Sequence, residues 1–134
     1  MGNIRTGYKG SYALGKHKLY MAIHYALQYH ELKDAYNEIE VSAKGVNYDE
    51  KVRTSGGDPT YTLAERRAEL RSKIEKIESA ARLTSEKYYK FVMKAVTEEG
   101  MNFNLLKTKY DMPCGKNTFY VLRRKFYYLL AKKI

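Results

Sequence analysis

The amino-acid sequence predicts an all-α fold: a long helical hairpin followed by a C-terminal three-helix unit that contains a helix-turn-helix. Three observations carry this expectation. Apolar residues recur at steps of three and four through most of the chain, which is the spacing of one helix face. Glycine, proline, serine and asparagine fall between those stretches, where helix punctuation belongs. No segment shows the strict apolar–polar alternation of a half-buried strand. At 134 residues, 44% of them hydrophobic, the chain has the length of one domain, or of one small domain with a helical appendage, and enough apolar surface for a core.

Residues 1–15 are glycine-rich, basic and without apolar period, and read as a flexible basic arm. Residues 16–83 read as the helical hairpin, interrupted by a linker over 43–57. Lys16–Ser42 is expected to be one helix, with Leu19, Ile23, Ala26 and Leu27 as a stripe that Leu32, Ala35, Tyr36 and Ile39 continue. Gly45, Asn47, Asp49, Ser55, Gly56 and Gly57 break any period after it. Asp58 with Pro59, or Thr62 with Glu65 as a capping box, opens the second helix, which runs from Thr60 to Leu83. Its seam is Leu63, Leu70, Ile74, Ile77 and Ala81, and charges of both signs cover the rest. The preferred arrangement pairs the two helices antiparallel; dimerisation through the same seam is the alternative.

Residues 84–134 read as the helix-turn-helix unit. Thr84 or Ser85 caps a helix over Glu86–Glu99, whose apolar side is Tyr88, Tyr89, Val92, Met93 and Val96, and Gly100 ends it. Asn102 caps a short helix with Phe103, Leu105 and Leu106 as its apolar residues. Asp111-Met112-Pro113 stops that helix, because a residue before proline is pushed out of the α region. Cys114-Gly115 makes the corner, and Asn117 or Thr118 caps the last helix. In that helix Phe119, Leu122, Phe126, Leu129 and Leu130 form an apolar stripe. Asn117, Tyr120, Arg124 and Tyr128 fall on the opposite side, flanked by Lys116, Arg123 and Tyr127.

The distribution of charge narrows the partners. Residues 1–20 hold four basic residues and no acidic one, residues 21–100 hold 13 basic and 14 acidic, and residues 101–134 hold eight basic residues against Asp111 alone. The excess of +10 is therefore carried by the two ends, a pattern that favours a polyanion. No run of 18 apolar residues exists, so no membrane span is expected, and Met1–Arg5 lacks the apolar core of a secretory signal. A single cysteine, Cys114, excludes an internal disulfide and fits a reducing cytosol. His17, His24 and His30 lack the three- or four-residue spacing of helical metal ligands. Ser55-Gly56-Gly57-Asp58 lacks the Gly-Lys-Ser/Thr ending of a phosphate loop, and no nucleophile–base set has a local signature. No enzyme activity, cofactor or metal is expected.

A short helix, a glycine-containing turn and a second helix with a basic outer face is the pattern of a helix-turn-helix, with cations for phosphate and asparagine or arginine for base edges. The candidate DNA-binding residues are Lys107 and Lys109 on the first helix and Lys116, Asn117, Tyr120, Arg123, Arg124, Lys125 and Tyr128 on the second.

The layout resembles small phage and prophage proteins of low-GC Gram-positive bacteria and, more loosely, the ArpU/RinA-type regulators of phage late transcription. The shared features are the N-terminal helix, the linker Ser55-Gly56-Gly57-Asp58-Pro59-Thr60 and the charged helix from Leu63-Ala64-Glu65-Arg66-Arg67. To these is added the hairpin through Leu105-Leu106, Pro113-Cys114-Gly115-Lys116-Asn117-Thr118-Phe119-Tyr120 and Arg123-Arg124-Lys125-Phe126. The hairpin also looks like region 4 of a sigma factor. That resemblance implies a second hairpin helix in the major groove, with Lys116, Asn117, Tyr120 and Arg124 facing bases and Arg123 and Lys125 near phosphates. Here Pro113-Cys114-Gly115 stands where the family has a serine that caps the helix.

The function these expectations add up to is a phage-derived, sequence-specific double-stranded DNA-binding transcriptional regulator in the bacterial cytoplasm, with a homodimer as the form a paired operator would require. The reading of another class is a phage interaction protein: an inhibitor of, or adaptor to, a host or phage nucleoprotein machine, anti-CRISPR-like or terminase small-subunit-like, touching RNA or DNA through its cationic face. A structural virion component is a third.

Overall fold

The computed structural model describes residues 10–45 and 62–134, and all regular structure among them is helical. Six helices follow in order: α1 (Lys16–Leu27), α2 (Tyr29–Gly45), α3 (Leu63–Thr84), α4 (Tyr89–Thr97), α5 (Phe103–Tyr110) and α6 (Lys116–Lys133). The all-α class expected from the periodicity is the class observed.

The chain forms two compact units, one from residues 1–29 and 76–134 and the other from residues 30–75. These differ from the divisions drawn at 15/16 and 83/84 in the sequence. Where one helix was expected over 16–42, the chain breaks at Gln28. The Gln28 side-chain amide donates to the His24 carbonyl at 3.4 Å, and its backbone N–H bonds the Tyr25 carbonyl at 3.2 Å. The last turn of α1 is thereby tightened and closed without glycine or proline.

In the unit made of residues 30–75, Leu32 and Ile39 of α2 and Leu70 and Ile74 of α3 are buried. The Arg67 guanidinium lies over the Tyr36 ring at 5.2 Å and its Nε–H donates to the Tyr36 hydroxyl oxygen at 3.3 Å. This contact joins α2 to α3. Thr62 opens α3, its hydroxyl accepting from the Glu65 N–H at 3.1 Å, so the start at Thr62 is the one that forms within the described residues. The alternative start at Asp58-Pro59 and linker residues 46–57 lie outside them, and residues 43–45 belong to α2.

The other unit is built around α6. The helix lies against α1 and α4, and α1 also packs on α4. From α1 come Leu19, Ala22, Ile23 and Ala26, spaced three, one and three apart. Ile77, Ala80 and Ala81 of α3, Val92, Ala95 and Val96 of α4, and Leu106 of α5 complete the core with Phe119, Phe126, Tyr127 and Leu130 of α6. The fully buried alanines Ala22, Ala26, Ala80 and Ala81 leave room for larger neighbours such as Phe126 and Ile77. Within the same unit the Tyr29 hydroxyl donates to the Glu78 carboxylate at 2.5 Å.

Two short devices place the last two helices. Ser85 accepts from the Tyr88 N–H at 3.0 Å, so α4 begins at Tyr89, three residues later than expected. Gly100, at φ +82°, reverses the chain after α4, and Asn102 Oδ1 accepts from the Leu105 N–H at 2.9 Å to cap α5. A Cβ at Gly100 would meet nothing within 4 Å, so Gly100→Ala isolates the cost of the left-handed backbone. It should lower stability by about 1–2 kcal/mol, read as a lower denaturant midpoint with unchanged slope.

Candidate nucleic-acid interface

Helix α5, the turn and α6 form the expected hairpin. The turn is held from inside and open outside. Asp111 closes α5 in the left-handed conformation (φ 56°), with its N–H and that of Met112 both directed at the Leu106 carbonyl. Met112 and Cys114 are buried, with 1% and 4% of their surface accessible, while Asp111, Pro113 and Gly115 are exposed. Burial pushes the Cys114 thiol above its usual range, which makes it a packing residue at neutral pH. The Phe103 and Phe119 rings meet at 5.8 Å and join α5 to α6 across the turn.

The residue that caps α6 is Gly115, in extended backbone (ψ 171°), rather than Asn117 or Thr118. No side chain caps it. The first turn of α6 therefore starts at exposed Lys116, Asn117 and Thr118, with no side-chain cap on its N–H groups and no acidic residue among them.

Further along α6 the outward face differs from the expected one. Tyr127, expected at the edge of the outer side, is 3% exposed, and Tyr120, Arg124 and Tyr128 are half-buried. The physical reason is that α6 has two neighbours, α1 and α4, so more of its circumference is covered than one apolar stripe requires. Beyond Lys116, the exposed positions of α6 are Asn117, Thr118, Val121 and Lys132, with half-exposed Lys125 on the same side. On a wheel of about 100° per residue, the middle of this stripe is turned by about 95° from the line through Tyr120 and Arg124. Leu105, expected to be apolar contact surface, is 41% exposed, and Leu106 alone of that pair enters the core.

The remaining candidate cations divide by what holds them. Lys107 is exposed, and its ammonium donates to the Met112 carbonyl at 3.1 Å, which ties α5 to the turn. Lys109 is exposed beside the Tyr110 ring. Arg123 lies over the rings of Phe119 and Tyr120 at 5.5 and 5.0 Å. Burial lowers the pKa of its guanidinium, although an arginine stays charged at neutral pH. The Tyr128 ring carries Lys132 at 4.4 Å and Tyr12 at 5.6 Å. Tyr12 belongs to the segment read as a flexible arm, so at least that residue is fastened to α6; residues 1–9 lie outside the described part.

Thr118, Val121 and Lys132 were not among the sequence candidates. Their signal was present in the helical period, but it needed the second neighbour of α6 to fix the phase.

Among the described residues no helix is long and apolar enough to cross a membrane. No family model, no curated protein and no solved structure matches the chain.

Burial also raises the Tyr127 hydroxyl from its ordinary value to about 12. The unfolded tyrosine gives up its proton first, near 10, so this contribution to stability is complete below that pH and is lost as pH rises to about 12. The loss should be about 2–3 kcal/mol, and Tyr127→Phe should flatten that part of an alkaline unfolding curve. Tyr25, Tyr29 and Tyr89, also raised by burial, leave a residual slope.

Proposed function

We propose that the chain is a sequence-specific double-stranded DNA-binding protein whose α6 enters the major groove, acting as a phage-type transcriptional regulator in a bacterial cytoplasm. One observation carries this reading. The hairpin presents an α6 start that has no side-chain cap and no acidic residue in its first turn, lined by Lys116, Asn117 and Thr118. Such a start suits a phosphate, since backbone N–H groups and the helix dipole both favour an anion. The adjoining stripe through Asn117, Val121 and Lys125 is narrow and exposed enough to meet base edges. Half-buried Arg124 is a weaker base-reading candidate than Asn117, whose amide matches adenine in the major groove. Lys109, Lys116, Lys125 and Lys132 suit phosphates on either side, an arrangement whose affinity falls with added salt. The layout that resembles ArpU/RinA-type regulators supports the phage context.

Selection of bound sequences from a random duplex pool tests the reading. An enriched motif is expected, and a palindromic one would mean that two copies bind together. Undiminished binding to bulk DNA with no enriched motif would remove the sequence-specific reading.

Two substitutions sharpen it. Asn117→Ala should cost about 1–3 kcal/mol on the selected duplex and much less on unrelated DNA, so that specificity relaxes. Gly115→Asp should separate folding from binding. A Cβ at Gly115 meets nothing within 4 Å, and its backbone already suits an N-cap. The carboxylate should stabilise α6 by about 0.5–1 kcal/mol, seen as a higher melting temperature, while repelling phosphate and weakening every duplex. A stabilised variant with unchanged DNA affinity would count against phosphate at this helix end.

A further inference from the structure

The geometry points to Val121 as a second base-reading residue, placed to meet the C5 methyl of a thymine close to the adenine that Asn117 binds. The inference rests on the reading that α6 enters the major groove. Val121 is 43% exposed, an apolar residue on a stripe otherwise made of Asn117, Thr118, Lys125 and Lys132. Neither the core nor the helix explains it. The core of this unit takes the opposite arc of α6, and a β-branched residue is a poorer helix former than alanine at an exposed position.

Asn117 and Val121 stand one turn apart, about 6 Å along the helix axis. Successive base pairs lie about 3.4 Å apart, so the two side chains address bases one or two steps from each other. In the major groove the amide of asparagine pairs with the N6 and N7 of adenine, and the thymine methyl is the base feature an aliphatic side chain can recognise. Valine offers neither donor nor acceptor, so it has nothing to exchange with the edge of a guanine or cytosine. The ligand is therefore a duplex with an A·T-containing step under the second turn of α6, read partly by a methyl contact.

The test uses the full-length chain and the duplex most enriched from the random pool. Each thymine is replaced in turn by uracil, which removes only the methyl. At one or two positions the replacement should weaken binding by about fourfold, the scale of one methyl withdrawn from an apolar contact. Val121→Ala should bind the thymine and uracil duplexes equally at those positions, with an unchanged melting curve. Leu105→Ala, which alters the other exposed aliphatic residue of the hairpin, should keep the full discrimination. The inference is overturned if no uracil weakens binding, or if Val121→Ala keeps the thymine preference. Equal loss in Leu105→Ala also overturns it, because the effect would then belong to a shared apolar patch. If no duplex is enriched at all, the major-groove reading has failed first and this inference fails with it.

Discussion

Packing of α1 across α6 decides what the C-terminal helix can offer to anything else. A helix held by one neighbour buries one stripe and leaves most of its surface free. Here α6 meets α1 as well as α4, and the side chains it gives to the core are Phe119, Phe126, Tyr127 and Leu130. The Leu19, Ala22, Ile23 and Ala26 face of α1 makes this possible, because alanine at two of those positions keeps the face shallow. The cost is surface: Tyr120, Arg124 and Tyr128 become half-buried, and only a narrow outer stripe remains. What the helix presents is thus set by a segment roughly a hundred residues earlier in the chain.

The turn imposes the second constraint, and it works from below. Met112 and Cys114 point inward while Asp111, Pro113 and Gly115 stay out, so the corner is anchored by its own apolar residues. Lys107 adds a bond to the Met112 carbonyl, satisfying an acceptor that no helix reaches. A corner fixed in this way aims the start of α6 without needing a capping side chain. Glycine at that start puts no side-chain oxygen over the first-turn N–H groups.

The sequence made the helices legible and left their phase obscure. Asn102 and Thr62 cap where their chemistry predicts, because capping is local, whereas α4 ends at Thr97, ahead of the Gly100 expected to stop it. Of the seam expected in α3, Leu70, Ile74, Ile77 and Ala81 are buried as the helical period predicts, and Leu63 is half-buried. The break at Gln28 was not, since glutamine is a good helix former and stops this helix only by bonding back to His24 and Tyr25. Nor was the burial of Tyr127, because period alone places it on an edge, and which edge is covered depends on a neighbour distant in sequence. Of the nine candidate interface residues, Lys107, Lys109, Lys116 and Asn117 are exposed, and these precede the part of α6 that its neighbours cover.

A region with eight basic residues and one acidic residue must position its cations without carboxylates. Aromatic rings do much of this. Arg123 lies over Phe119 and Tyr120, and Lys132 over Tyr128. A ring attracts a cation through its quadrupole and carries no net charge. A carboxylate at the same place would hold the side chain and cancel its field together. Tyrosine restricts the side chain and leaves the field intact, so the positive potential of this end survives at distances where ion pairs would have neutralised it. The tyrosines of this end and its charge imbalance then belong to one solution: aromatic surface serves as core at Phe119 and Tyr127 and as an uncharged seat for cations at Tyr120 and Tyr128.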